Sequence, residues 1–340
     1  MPPMPAPTTT MRATTPSLAR LGVVHVARLS LTPLKGTAHI VPSRLTFDEH
    51  GPRDDRRFCL VDLQRASVLR TVENPALVSV HASYDGSQLA VRLPDGSTVA
   101  GETRPLRESL TVDYWGRRAL VSVVEGPWAA AFSKIVGHEV VLAEVTCPGE
   151  VVFGGAIVLL TTSSLREVAS RVGRELSGEA LLDDSERFRS TVVIDTGAAP
   201  AFVEDSWEGC DISLGEVTVR VRGAVPRCAV VRITPRHGGI DEADPLRALA
   251  SDRTELSVRG REVVFGVDAD MVLPGTVAVG DAVQVSGRPF HDKVPRRRPR
   301  QDKAVSQPSS STDAGWASES GHTRPPVRRA TSARPATPLT

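Results

Sequence analysis

The pattern that most limits the fold of this chain is a series of short segments whose apolar residues alternate with polar ones or form brief runs between turns. Such segments predict β-strands, because successive side chains of a strand point to opposite faces of a sheet. The clearest predicted strands are 24–31, 57–62, 89–93, 217–221 and 230–233. Asp-Gly pairs on both sides of 89–93 mark tight turns and indicate an antiparallel meander.

Helical signals are few. One predicted helix, 128–136, follows Pro127, and proline suits a first helical turn. A second, 164–175, opens with the capping-box residues Ser164 and Glu167. The sequence therefore predicts a mainly β protein of two β-barrel-like domains with a few short helices, flanked by disordered tails.

The predicted domains are 21–147 and 148–287, and the segments outside them, 1–20 and 288–340, are rich in Pro, Ser, Thr, Ala and Arg. Segments with so few large apolar residues cannot offset the entropy lost on folding, so we predict two disordered tails. The second tail has eleven basic and four acidic residues, which leaves the rest of the chain near −6 for a total of +1. The body is therefore not expected to bind nucleic acid, and the basic tail is expected at most to contact polyanions weakly.

The four cysteines, Cys59, Cys147, Cys210 and Cys228, are far apart and form no Cys-x-x-Cys pair. That spacing argues against a zinc or iron–sulfur site and against a disulfide framework. The first residues lack the continuous apolar stretch of a signal peptide, and no apolar run is long enough to cross a bilayer. We therefore expect a cytoplasmic protein without a membrane anchor.

Two basic positions in the first half are candidates for anion binding. Lys35, one of only four lysines, stands at a turn after an apolar strand, where its ammonium group can be directed at an anion. An ordinary exposed turn lysine fits the same pattern. Arg56 follows two aspartates and is suited to bidentate contact with phosphate. A structural Asp–Arg pair is an equal alternative there.

A third basic cluster, Arg187-Phe188-Arg189, precedes a predicted strand in the second half. In an extended segment the two arginines would point to the same side and form a clamp for a phosphate. A salt-bridged surface explains the pair equally well.

Cys228 is the sharpest candidate, at a break between two predicted strands. Arg227 beside it and a turn at the strand edge favour the thiolate form. A thiolate is the soft ligand that a heavier transition metal prefers. Cys59, within the strand 57–62, is predicted to be a small buried apolar residue instead.

The second half of the chain resembles the MOSC domain, because short motifs of that family occur here in order. These motifs are Arg187-Phe188-Arg189, Phe202 to Trp207, Leu214-Gly215-Glu216-Val217, Pro226-Arg227-Cys228, Pro245 to Leu249, Phe265-Gly266, Leu273 to Thr276 and Val279-Gly280-Asp281. The first half is similar to the β-barrel domain that precedes MOSC in the mitochondrial amidoxime-reducing component and its bacterial relatives. Its motifs are Leu29 to Gly36, Gly51, Asp55 to Phe58 and Leu60-Val61-Asp62.

This resemblance implies a molybdopterin-type molybdenum cofactor between the two domains, with Cys228 as metal ligand and basic residues on the phosphate. The cofactor-binding residues that it implies are Lys35, Arg56, Thr162, Ser163, Arg187, Arg189, Arg227 and Cys228. Thr162 and Ser163 enter as small hydroxyl residues ahead of the predicted helix 164–175. The family usually has Pro-Asn where this chain has Ser190 and Thr191, which puts a cofactor hydrogen bond from that Asn in question.

The resemblance further implies an oxidoreductase that removes oxygen from small N-hydroxylated or N-oxide-type substrates. Its electrons are expected from a separate flavin or iron–sulfur partner, because the chain has neither a cysteine cluster nor a Gly-rich nucleotide fingerprint. The alternative is a sulfur-carrier or cofactor-delivery protein in which Cys228 holds a persulfide. A scaffold that binds no cofactor is a third reading.

Overall fold

The computed structural model describes residues 24–257 and 259–287, which belong to one compact unit. The predicted tails, 1–20 and 288–340, lie outside these residues. Every helix in the described ranges is too short or too polar to cross a lipid bilayer. The cytoplasmic location stays a prediction.

The first half is built mainly from strands. They are β1 (His25–Leu29), β2 (Arg44–Asp48), β3 (Gly51–Pro52), β4 (Phe58–Asp62), β5 (Ser67–Val68), β6 (His81–Tyr84), β7 (Gln88–Arg92), β8 (Thr98–Glu102), β9 (Arg104–Tyr114), β10 (Arg117–Glu125) and β11 (Val141–Val145). Its helices are a 3-10 turn, Pro75–Ser79, and α1 (Trp128–Val136).

The second half adds β12 (Ile157–Thr161), β13 (Val192–Asp195), β14 (Asp211–Leu214), β15 (Val217–Pro226), β16 (Thr254–Ser257), β17 (Gly260–Leu273), β18 (Gly275–Ala278) and β19 (Val283–Ser286). Its helices are α2 (Thr162–Arg171), α3 (Gly178–Asp184) and α4 (Pro245–Ala250). Single 3-10 turns occupy Ser185–Phe188, Val203–Trp207 and Ala229–Arg232.

A closed barrel forms the body of the first half, with its strands in the order β10-β11-β4-β5-β9. All five residues of β4 are buried. Phe58 and Leu60 pack into one apolar cluster, and Cys59 and Val61 pack into another. The strand therefore separates two cores, which explains why its sequence is a continuous apolar run rather than an alternation. Beside the barrel, β6, β7 and β8 form the predicted antiparallel meander.

An eight-stranded sheet dominates the second half, in the order β1-β13-β12-β17-β15-β14-β19 with β16 attached to β17. Its first strand, β1, comes from the beginning of the described chain and pairs antiparallel with β13. In return, β18 from the second half pairs with β2. The two halves therefore share strands, although the domain limits 21–147 and 148–287 predicted from sequence stay a prediction.

The predicted mainly β fold with few short helices is confirmed, and α1 has the predicted bounds 128–136. The second predicted helix is displaced, since α2 begins at Thr162 and its N-cap is Thr161, whose hydroxyl accepts from the amide of Ser164. The predicted strand 230–233 is wrong, because that segment is a 3-10 turn. β15 continues to Pro226, which cannot donate to a further strand ladder, and the chain turns there.

An ion cluster around the buried Arg28 joins β1 to the helical layer of the second half. The guanidinium of Arg28, whose side chain is 3% exposed, donates to Glu179 at 2.9 Å, Asp183 at 2.8 Å and Glu186 at 2.7 Å. Arg236 also donates to Glu186, whose side chain is equally buried. Of the three carboxylates only that of Glu186 is buried, and it keeps its desolvation cost when Arg28 is lost, so the cluster is costly to disrupt.

We expect Arg28→Ala to lower the free energy of unfolding by about 2 kcal/mol, less than a fully orphaned charge costs because Arg236 still pairs with Glu186. Urea unfolding measures the change through a shifted midpoint at unchanged slope. The matched control is Arg220→Ala, which removes an arginine whose pair with Asp211 is exposed and which should cost under about 1 kcal/mol. Equal losses of unfolding free energy in both variants would show that the Arg28 cluster stabilises the fold no more than an exposed ion pair does.

Candidate functional site

A cavity of about 350 Å³ opens between the barrel and the large sheet. Residues from both halves line it, among them the predicted site residues Lys35, Arg56, Arg189, Arg227 and Cys228. Among the residues that the structure describes, six with basic side chains and one with a carboxylate, Glu262, line its wall. The volume suits a small organic ligand, and the charge suits an anionic one.

Lys35 projects from a tight turn after β1 that its neighbours hold rigidly. The hydroxyls of Thr32 and Thr37 both donate to the carbonyl of Leu34, at 2.8 and 2.7 Å. The amide of Lys35 donates to the carbonyl of Phe58 on β4, at 2.8 Å. Its ammonium group lies 5.1 Å from the ring centroid of Tyr114, a cation–π distance.

Arg56 occupies the turn before β4, in a left-handed conformation with φ 51°. Its amide donates to the carbonyl of Thr32 at 2.7 Å, and the amide of Thr32 donates to the carboxylate of Asp55 at 2.9 Å. These bonds join this turn to the Lys35 turn. The guanidinium of Arg56 is ion-paired with Asp55, so both readings from the sequence apply, a structural pair and a cavity-lining cation.

Arg189 brings a third cation from the second half. It ends the turn Ser185–Phe188 in a left-handed conformation, φ 55°, and its Nη1 donates to the carbonyl of Thr37 at 2.8 Å. Burial, Arg56 and Arg189 lower the pKa of Lys35 from 10.5 to about 8. Burial, reinforced by Arg56, lowers the pKa of Arg189 to about 10. Three crowded cations raise each other's energy, and an anion among them would relieve that repulsion.

The guanidinium of Arg227 lies beside the rings of Phe188 and Phe265, 5.7 and 5.8 Å from their centroids. Its Nε donates to the carbonyl of Phe265 and its Nη1 to the carbonyl of Phe188, both at 2.7 Å. Gly266, with φ +68°, lies against this guanidinium, and a Cβ added there would be 2.3 Å from Leu160 Cδ2. Glycine is therefore required at position 266, because no other residue fits that conformation and that space.

Cys228 follows in extended backbone, immediately before the turn Ala229–Arg232. Its thiol is exposed and lines the cavity, whereas Cys59 and Cys210 are buried. Burial raises the pKa of the Cys59 thiol to about 12, so this residue is a neutral core group, as its sequence setting predicts. The other exposed cysteine, Cys147, does not line the cavity.

Two of these guanidinium groups carry unused hydrogen-bond donors. Nη2 of Arg189 and Nη2 of Arg227 are buried and find no partner within residues 24–257 and 259–287. A buried donor without an acceptor costs free energy, so such groups are rare in structures unless a ligand uses them. Phosphate or pterin oxygens and nitrogens are acceptors that fit these donors.

Arg187 is placed differently from the prediction. The segment 185–188 is a 3-10 turn and not extended, so Arg187 and Arg189 do not point to the same side. Arg187 has a side chain 1% exposed, donates to the carbonyl of Val231 and pairs with Asp184 and Asp241. It does not line the cavity, and its charge is neutralised by the two carboxylates.

Thr162 and Ser163 also lie away from the cavity. They occupy the first turn of α2 rather than the segment before it. The hydroxyl of Thr162 donates to Asp195 at 2.8 Å, and that of Ser163 lies 3.0 Å from the hydroxyl of Thr196. The two hydroxyls therefore join α2 to the last residue of β13 and to the residue that follows it.

The sequence patterns did not single out the aromatic residues of this cavity. Tyr114, Trp115 and Phe153 all line it. A usable signal existed, because the adjoining pair Tyr114-Trp115 stands out in a chain with 4% aromatic residues. Trp115 is also the first residue of a two-residue hairpin turn, a position where asparagine, aspartate or glycine is usual.

A second cavity of about 370 Å³ lies around Asp54, Arg57 and Glu144. Arg57 pairs there with Asp54 at 3.0 Å and with Glu144 at 2.6 Å. The charges of these side chains are satisfied by each other, and no cysteine lines this cavity. The first cavity is therefore the better candidate for a functional site.

Residues 148–284 match the family model of the MOSC domain, and residues 23–137 match that of the MOSC N-terminal beta barrel domain. Mitochondrial amidoxime reducing component 2 of Macaca fascicularis is 25% identical over 288 residues, which span 76% of this chain and 82% of the relative. Mitochondrial amidoxime-reducing component 1 of Homo sapiens is 23% identical over 294 residues, 77% of this chain and 83% of the relative.

Among solved structures, the YUAD protein from Bacillus subtilis aligns with 12% identity and a TM-score of 0.36, over 77% of this chain and 95% of that one. The two family models together account for most of this chain. The chain is therefore a MOSC protein, built from a MOSC N-terminal beta barrel domain and a MOSC domain, and homologous to the mitochondrial amidoxime-reducing components.

Proposed function

We propose that this protein binds a molybdopterin-type molybdenum cofactor in the cavity between its two halves and reduces small N-hydroxylated or N-oxide-type molecules. One observation carries the proposal: an exposed thiol, Cys228, lines the same cavity as Lys35, Arg56, Arg189 and Arg227. The names of the relatives, which are amidoxime-reducing components, support the substrate class.

The side chains present fit both ends of such a cofactor. Cys228 offers a soft sulfur ligand, which suits a heavy metal. Lys35, Arg56 and Arg189 offer concentrated positive charge for a terminal phosphate, with guanidinium forks that match its oxygens. Arg189 and Arg227 line the cavity, and Nη2 of each is a buried donor without a partner in the described residues.

When bound, the cofactor supplies a two-electron redox centre. The net reaction breaks an N–O bond, consumes two electrons and two protons, and releases water, so that an N-hydroxylated amidine yields the amidine. The chain's own residues bind and orient the cofactor and the substrate. The electrons come from a separate flavin or iron–sulfur protein, because the four cysteines form no cluster that would carry them.

The proposal is tested by expressing the full chain in a host that makes the cofactor. We expect about one molybdenum per chain, as for a stoichiometric site. We also expect the purified protein to oxidise reduced methyl viologen when an amidoxime is added, with the amidine as product. Metal-free protein that releases thiocyanate with cyanide would instead support a sulfur carrier, and protein with neither property would contradict both functions.

A further inference from the structure

Four flat groups in a row line the cavity, and none of them belongs to the residues to which the cofactor is assigned above. The guanidinium of Arg70 lies 4.3 Å from the ring centroid of Trp115. The ring of Trp115 lies 6.2 Å from that of Phe153, at an angle of 59°. The guanidinium of Arg259 lies 4.7 Å from the centroid of Phe153. All four residues line the cavity.

The row joins elements from both halves. Arg70 follows β5, and Trp115 is at the tip of the β9–β10 hairpin. Phe153 belongs to the loop between β11 and β12, and Arg259 is at the tip of the β16–β17 hairpin. Four separate segments therefore place flat cationic and aromatic surfaces at one opening.

The rings remain available to a ligand although each has an arginine against it. Trp115 is 36% exposed and Phe153 is 39% exposed, unlike Trp128 and Trp207, which are 0% and 2% exposed. Two neighbouring exposed aromatic residues at a cavity are typical of a binding surface, because burial in a core would remove them from water.

The backbone conformation at Trp115 indicates that tryptophan does not stabilise the hairpin turn. Trp115 and Gly116 both have positive φ, 56° and 75°, as in a type I′ turn. That turn prefers asparagine or glycine at its first central position, and a bulky residue is strained there. The hairpin turn should therefore be at least as stable with asparagine at position 115 as with tryptophan.

The charges at the opening favour an anion. Arg70 is already paired with Glu73, at 3.3 Å. Arg259 forms no salt bridge with a carboxylate of the described ranges, and Glu262 is the one acidic residue that lines the cavity. An arginine with a free charge next to a ring suits a planar ligand that carries a carboxylate.

We propose that Trp115 and Phe153 hold the aromatic ring of a planar substrate and that Arg259 selects those substrates that carry an anionic group. This inference rests on the reductase function proposed above and adds the substrate class. Aromatic N-hydroxylated compounds with a carboxylate should be preferred over neutral ones, and cationic ones should be excluded.

The test compares three probes that share one ring: benzamidoxime, its 4-carboxylate and its 4-aminomethyl derivative. Binding to the full chain as purified is read from tryptophan fluorescence, and turnover is measured separately with reduced methyl viologen. We expect the carboxylate to bind about tenfold more tightly than the neutral probe, because one partly screened ion pair contributes about that much to affinity. High salt should reduce that preference.

Three variants separate binding from folding. Arg259→Glu should reverse the preference, so that the aminomethyl probe binds best. Trp115→Asn should lower the binding affinity for all three probes about tenfold, as expected when one stacking surface is lost. Its melting temperature should be equal to or higher than that of the wild type. Trp115→Phe should abolish the fluorescence change but keep the charge preference in turnover.

The control is Arg107→Ala, which removes an exposed charge from β9 at a site outside the cavity. Position 107 is roughly 20 Å along the strand from Tyr114. This variant should leave the preference for the carboxylate unchanged.

The outcomes distinguish the two proposals. Charge-selective binding without turnover would overturn the reductase function and support the subsite. Turnover without a charge preference, or with Trp115→Asn and Arg259→Glu behaving as wild type, would overturn the subsite and support the reductase. A chain that neither binds nor turns over any probe would overturn both.

Discussion

Cys228→Ala should leave the protein folded but nearly free of molybdenum. Its kcat/KM for amidoxime reduction should be at least about 100-fold lower. Loss of a residue that only hydrogen-bonds to a metal ligand can already lower activity by about that factor, and loss of the ligand itself should cost more. The side chain is exposed at the cavity and is not part of a core, so its removal should hardly alter the melting temperature. Metal content, activity and thermal unfolding of the same preparation measure the three effects.

Cys147→Ala is the matched control, because Cys147 is the other exposed cysteine and does not line the cavity. It should keep both its molybdenum and its activity. Cys228→Ala protein that still holds a full complement of metal and still reduces amidoximes would remove the basis of the site assignment. Loss of metal in both variants would point to general damage by cysteine substitution.

Lys35→Met should change function and stability in opposite directions. The ammonium group is half-buried beside Arg56 and Arg189, and its pKa is lowered to about 8. Removing the charge should raise the free energy of unfolding of the cofactor-free protein by about 1–3 kcal/mol at pH 7, given about 1.4 kcal/mol per pKa unit. The same change should weaken retention of the cofactor about 10- to 100-fold, the value of one charged hydrogen bond.

The stability difference should depend on pH in a defined window. Between about 8 and 10.5 the unfolded chain holds the proton of Lys35 more tightly than the folded chain does. The stability of the cofactor-free wild type should therefore rise across this window relative to Lys35→Met, and the advantage of the variant should vanish above it. Taking the difference between the two urea-unfolding curves at each pH cancels other titrating groups, such as Tyr114, whose burial raises its pKa to about 12.

Lys35→Arg is the companion variant, because it keeps the charge but not the low pKa. It should bind the cofactor better than Lys35→Met and show no gain in stability. If Lys35→Met proved less stable than the wild type at pH 7 without cofactor, the crowded cations would not be a source of strain, and the electrostatic account of the site would fail.

Local patterns in the sequence predicted the parts of the site that depend on local chemistry. Cys228 stands out locally because it follows Arg227 at a break between strands, whereas the turn around Lys35 fits an ordinary exposed lysine and only the resemblance to the MOSC domain favours a site role there. That these residues meet in one cavity depends on strand pairing across the whole chain, which a single sequence does not display. The resemblance to the MOSC domain supplied that expectation, whereas composition and periodicity did not.

The failures have equally local causes. Arg187 and Arg189 look equivalent in sequence, but a 3-10 turn between them sends one to Asp184 and Asp241 and the other to the cavity. A buried strand and a short apolar turn cannot be told apart over four residues, which is why 230–233 was predicted as a strand. Helix α2 begins two residues before the predicted start at 164, because Thr161, and not Ser164, is its N-cap.

The pairing of β1 with β13 has a consequence for synthesis of the protein. When β1 leaves the ribosome, its partner in the sheet has not yet been made, since His25 pairs with Asp195. Contacts so distant in sequence form late, because a long loop must close first. Arg189 and Cys228 are also translated after the barrel, so the cavity is complete only after residues of both halves have been made. Any ligand that binds between the halves must therefore enter after β1 has paired with β13.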